Sequence, residues 1–135
     1  MSARYLLDTD TCAFILRRTA PALLARIQVV PLEQQSISVV TLAELLYGVE
    51  LSSKKKANRS AVDAFVRHVA VLDWTPAAAE HYADIRAHLK KSGQLIGAND
   101  LMIAAHARSI GAIVVTNNVK DFGRVKGLKL ENWLA

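Results

Sequence analysis

The chain has 135 residues, 52% of them hydrophobic and 21% charged, which is ample apolar material for a packed core and excludes an intrinsically disordered segment. That length suits one core and leaves little room for a second, so residues 1–135 read as one domain. A formal net charge of +5 favours a polyanionic partner, because neutralising phosphates releases counterions whatever the base sequence.

Arg4 to Leu7 reads as a short buried strand that ends at Asp8, with Thr9 or Asp10 capping a helix that runs to Arg17 or Arg18. Pro21 fits the first turn of a second helix with Leu23, Leu24 and Ile27 on one face. Ser36 to Val40 is β-branched and strand-like, and Thr41 opens the helical stretch TLAELLYGVEL. The polar run SSKKKANRS then gives a turn and a solvated helix start, AVDAFVRHV has helical spacing, and VAVLDW is a third strand. Pro76 starts a long helix that ends near Lys91 at Ser92-Gly93. Asn99 caps the helix DLMIAAHARSI, Gly111 stops it, and AIVVT is a continuous apolar strand running into Thr116, Asn117 and Asn118. Strands alternating with helices, without hairpin signals, predict an α/β fold with a parallel sheet covered on both faces. No apolar run approaches the ~18 residues of a spanning helix and no leader pattern opens the chain, so a cytoplasmic protein without a membrane segment is expected.

In such a sheet, polar groups at the carboxyl ends of strands and at the starts of the following helices meet in one crevice. Asp8 ends the first strand, Glu44 lies early in the helix after the second, Asp100 opens the helix after Asn99, and Asp121 follows the last apolar strand. Four converging carboxylates repel one another and raise each other's pKa unless a cation holds them. Hard oxygen donors suit Mg²⁺ or Mn²⁺, and such an ion activates water and offsets charge on a phosphate, which is nuclease chemistry. Each acid also has a local explanation: Asp8 and Asp10 as caps, Thr41 with Glu44 as a capping box, Asp100 as a complement to a helix dipole, and Asp121 as the cap of a last turn.

Other side chains carry weaker signals. His81 and His88 flank Asp84 on the long helix, but this spacing is that of a solvated face, and His68 and His106 stand alone. Cys12 reads as a small core residue, Trp74 and Trp133 as packing residues, and Lys54 to Lys56 as a solvated run.

The segments YLLDTDT, SVVTLAELLYGVELS, IGANDLMIAAHA and VVTNNVKDFGRVKGLKLENW, in this order and in a chain of this size, resemble the VapC toxins of the PIN-domain superfamily. The resemblance implies a three-layer α/β/α domain around a parallel sheet, Mg²⁺-dependent endoribonuclease activity on RNA (tRNA as the first candidate), a homodimer, and inhibition by a VapB-type antitoxin. It also implies that Asp8 and Asp100 hold the metal, with Glu44 as the third acid, Asp121 as the fourth and Thr116 as a supporting hydroxyl. Many PIN domains place an acid two positions after that Thr, where this chain has Asn118. Two other readings compete. A receiver-like phosphoacceptor domain would use Asp8, Asp10, Asp73 and Thr116 but leaves Glu44 and Asp100 idle, and a non-catalytic RNA-binding module would use the basic surface alone.

Overall fold

The structure is a computed structural model that describes residues 3–134. Its elements are β1 (Tyr5–Leu7), α1 (Thr9–Arg17), α2 (Pro21–Val29), a 3-10 turn (Leu32–Gln34), β2 (Gln35–Ser38), α3 (Val39–Leu51), α4 (Lys55–Val66), β3 (Ala70–Leu72), α5 (Pro76–Lys91), α6 (Ala98–Ile110), β4 (Ile113–Val115), α7 (Val119–Phe122) and β5 (Lys129–Glu131). The five strands form one sheet in the order β3-β2-β1-β4-β5, and every neighbouring pair is parallel.

The side-chain period of two divides the core between the sheet's faces. Leu6 and Val114 pack with Ile85, Leu89, Ile103 and Phe122 of α5, α6 and α7. Their chain neighbours Leu7 and Val115 turn the other way, to Cys12, Leu23, Leu45 and Val62 of α1 to α4. Helices therefore cover both faces, the three-layer α/β/α arrangement expected. Cys12 is fully buried and free, as its apolar setting suggested. Among the described residues, no helix is long and apolar enough to cross a membrane.

Several boundaries differ from the sequence reading, all at helix starts or in short strands. Asp8, rather than Thr9 or Asp10, caps α1, its side chain accepting from the Thr11 amide. Helix α3 begins at Val39, because Ser38 caps it and accepts from the Val40 amide at 3.1 Å. Thr41 and Glu44 are thus inside the helix rather than in a capping box. Asn99 does not cap α6 either: Gly97 occupies that position, with no side-chain bond. The strand β5 has no sequence signal, since KLE is short and polar; pairing with β4 creates it.

Candidate active site

Strands β2 and β3 lie on one side of β1, and β4 and β5 on the other. The chain reverses its direction of sheet growth between β1 and β4, and beyond the carboxyl ends of those two strands lies the crevice where open α/β sheets bind ligands. Asp8 follows β1 and Thr116 follows β4 there. The two are tied together: the Asp8 amide donates to Val115 O at 3.1 Å, and the Thr11 hydroxyl donates to the same carbonyl at 3.0 Å.

Capping thus fixes Asp8 in place. Its Oδ1 accepts from the Thr11 amide at 2.8 Å, and the residue is only 2% exposed. Burial raises its pKa, hydrogen bonds from Thr116 and Thr11 offset part of the rise, and the Asp10 charge adds to it. Asp100 comes to the same place from the first turn of α6. Its pKa is raised to about 6, first by burial, then by the charges of Asp8 and Asp10 and, less, of Asp121. Asn118 Nδ2 donates to Asp121 Oδ2 at 3.1 Å and to Asp100 Oδ2 at 3.4 Å. An amide therefore stands where a further carboxylate would add repulsion, and it tethers two acids instead. The Asn118 amide N–H donates to the buried Thr116 hydroxyl at 2.8 Å, which fixes the turn after β4.

Three of the four expected acids, Asp8, Asp100 and Asp121, thus share one electrostatic environment. Glu44 makes no hydrogen bond or ion pair with them among the described residues. It is half-buried on α3, one turn after Thr41. Thr41 meets Thr9 hydroxyl to hydroxyl at 3.3 Å, so Glu44 shares the helix face turned toward the start of α1. Asp10, which the sequence offers only as a cap or a phosphoacceptor, places its charge on both Asp8 and Asp100. The signal was the Asp-Thr-Asp spacing around a helix start.

Several of the weaker candidates make structural contacts. His81 accepts from Arg108 Nε at 2.8 Å, while Asp84 pairs with the same guanidinium at 2.6 Å. Trp74 donates to Met102 O at 3.0 Å, and Trp133 is buried edge-on to Tyr5. His106 is buried, with Nδ1 2.8 Å from Ser38 Oγ. Asp73 follows the edge strand β3, two strands from β1. A receiver-like sheet would run 2-1-3-4-5, so that reading fails on strand order.

The donor set fits a hard divalent cation. Two buried or half-buried carboxylates that are both costly as anions are stabilised by a positive charge between them. Among the described residues no three acidic, His or Cys side chains already close on one point, and Mg²⁺ commonly takes one or two carboxylates and keeps several waters.

The PIN domain family model matches residues 5–128. The chain is 42% identical over 130 residues to the tRNA(fMet)-specific endonuclease VapC of Shigella flexneri, covering 96% of this chain and 98% of that protein. It is 40% identical over 131 residues to ribonuclease VapC2 of Haemophilus influenzae, covering 97% and 98%. Among solved structures, the DNA-bound VapBC of Salmonella typhimurium contains a chain that superposes with a TM-score of 0.92 at 38% identity, covering 98% of this chain and 99% of that one. VapBC2 of Rickettsia felis, bound to a promoter DNA fragment, gives 0.91 at 36% identity, covering 96% and 98%. With the family model spanning nearly the whole fold and relatives this similar along their full length, the chain belongs to the VapC ribonucleases of the PIN-domain family.

Proposed function

We propose that this protein is the toxin of a VapBC toxin–antitoxin pair: a single PIN-like domain that works in the cytoplasm as a homodimer and cleaves RNA with Mg²⁺, or Mn²⁺ in its place. The observation that carries this reading is the meeting of Asp8 and Asp100 at the switch point of the sheet, where burial raises the cost of both charges and the Asp8 charge adds to that of Asp100. Asp8 and Asp100 would hold the ion, and Glu44 and Asp121 would complete the acidic set. Such an ion, when bound, supplies a nucleophile from water at neutral pH and offsets charge developing on the phosphate. The chain's own residues prepare the site. The Thr11 amide holds the Asp8 carboxylate in one orientation, Thr116 favours its charged form, and Asn118 restrains Asp100 and Asp121. Among RNAs, tRNA is the first candidate, supported by the Shigella relative that is a tRNA(fMet)-specific endonuclease.

The antitoxin would grip apolar surface and present a basic side chain to the acids. Leu23 is buried and offers nothing, but Ile27 joins Ile15, Val30, Phe65 and Val69 around a cavity of about 390 Å³. An amphipathic helix suits that cavity. Tyr47, 61% exposed on α3, is further apolar surface.

The test is RNA incubated with the purified chain in Mg²⁺, in Mn²⁺ and in EDTA, beside the Asp8→Asn variant. Cleavage that requires the ion and the carboxylate supports the reading, and full cleavage in EDTA sinks it. Expression alone and with the neighbouring gene tests the toxin assignment. A harmless lone chain, or a neighbour that neither binds nor restores growth, would remove that assignment even if the nuclease survived.

A further inference from the structure

A cavity of about 260 Å³ lies between α5, α6 and the segment that follows α7, lined by Asp84, His88, Arg108, Arg124 and Lys126 over an apolar floor. Its charge balance is positive, because Asp84 is the one acid lining it and Arg108 Nη2 engages that carboxylate at 2.6 Å. The Arg108 guanidinium is held in place by its Nε donating to His81 Nδ1 at 2.8 Å and its Nη1 donating to Lys126 O at 3.0 Å. Arg124 stands between this cavity and the acids. Its Nη1 lies 3.8 Å from Asp121 Oδ1, and its hydrogen bonds to Gln94 O and Leu95 O are long, 3.4 Å each. Most of its five donors are therefore available to a ligand.

A polyanion approaching Asp8, Asp100 and Asp121 meets repulsion, so the strand needs cations close beside them, and Arg124 adjoins both places. A planar guanidinium with free donors suits phosphate oxygens, and Lys126 adds a point charge. We infer that this cavity is a phosphate-binding subsite for the RNA strand, which leaves the acidic crevice past Arg124 and continues along the flank of α5 and α6. The inference rests on the RNA-cleaving reading of the site and adds the direction in which the substrate runs.

The test measures binding of a single-stranded RNA oligonucleotide in EDTA across a salt series. The full chain is used in the Asp8→Asn background, which lessens repulsion by the acids. Each phosphate contact contributes about −0.7 to the slope of log affinity against log salt for a single strand. Arg124→Ala and Lys126→Ala should each flatten the slope by roughly that amount and weaken binding several-fold at low salt, with Arg124→Lys recovering much of the loss. Arg86→Ala, on α5 but outside the cavity, should change neither. Asp84→Asn should tighten binding by freeing Arg108, an effect of opposite sign that damage to the fold would not give. Equal losses in all three alanine variants, or slopes that do not change, would overturn the subsite. Unchanged slopes beside metal-dependent cleavage by the wild-type chain would sink the subsite alone, whereas a chain that neither binds nor cleaves RNA would remove the nuclease reading with it.

Discussion

Burial and three neighbouring acids lift Asp100 to a pKa of about 6, and the sign of its effect on stability follows. Below about pH 4 the carboxyl is protonated in both the native and the unfolded chain. Between there and about pH 6 the unfolded chain sheds the proton while the native state retains it, so native stability falls as pH rises, and above about pH 6 the full penalty is in place. In EDTA the wild-type chain should therefore lose stability across that window relative to Asp100→Asn, measured by chemical denaturation at a series of pH values. Parallel profiles would mean that Asp100 is not held against repulsion. The same competition with protons should make Mg²⁺ affinity rise through about pH 6. Asn118 sets a second test at this scale. Asn118→Asp exchanges two donated hydrogen bonds for a like charge and should destabilise the metal-free protein by about 1–2 kcal/mol. Thermal unfolding with Mg²⁺ should recover part of that loss, and a variant as stable as wild type in EDTA would show that the amide tether has no consequence.

Helix starts and ends are where single groups control whole elements. Ser38 Oγ caps α3 and is the partner of the buried His106 on α6, so one hydroxyl joins the helix bearing Glu44 to the helix bearing Asp100. Ser38→Ala should cost about 2 kcal/mol or more, since a lost cap is worth about 1 kcal/mol and an unpaired buried polar ring at least as much. A loss within about 0.5 kcal/mol, read from denaturant midpoints, would mean that water replaces the hydroxyl. Gly123 closes α7, and a Cβ there would lie 2.6 Å from Val119 O. That obstacle is backbone, so Gly123→Ala must shift α7, and with it Asp121. The expected cost is about 1–3 kcal/mol, accompanied by weaker Mg²⁺ binding. Undiminished affinity would place Asp121 outside the metal's reach.

For the molecule as a whole, an ion bound only to the native state stabilises it by mass action, by about 2.7 kcal/mol at a hundredfold excess over its dissociation constant. The melting temperature should rise with Mg²⁺ in the wild-type chain and not in Asp8→Asn or Asp100→Asn. An equal rise in those variants would locate the ion elsewhere.

By itself the sequence determined what is local. Alternating strand and helix signals, buried β-branched runs and proline at the starts of α2 and α5 specify a parallel α/β layout, because periodicity and φ restriction act within a few residues. They also put Asp8, Asp100 and Asp121 at strand ends or helix starts, the positions that such a sheet turns toward one edge. The resemblance to a known family implies metal-binding roles for the acids, where spacing alone leaves capping equally open. Tertiary structure decided the strand order, which separates Asp73 from Asp8 and eliminates the receiver-like alternative. It also decided that Ser38 rather than Thr41 begins α3, since β2 and the buried His106 fix that hydroxyl's position. The recruitment of Asp10 and the tether through Asn118 likewise depend on folding. Electrostatic coupling and cross-strand hydrogen bonds act through space between residues up to about a hundred positions apart, and no pattern along the chain records which of those residues the crossovers bring together.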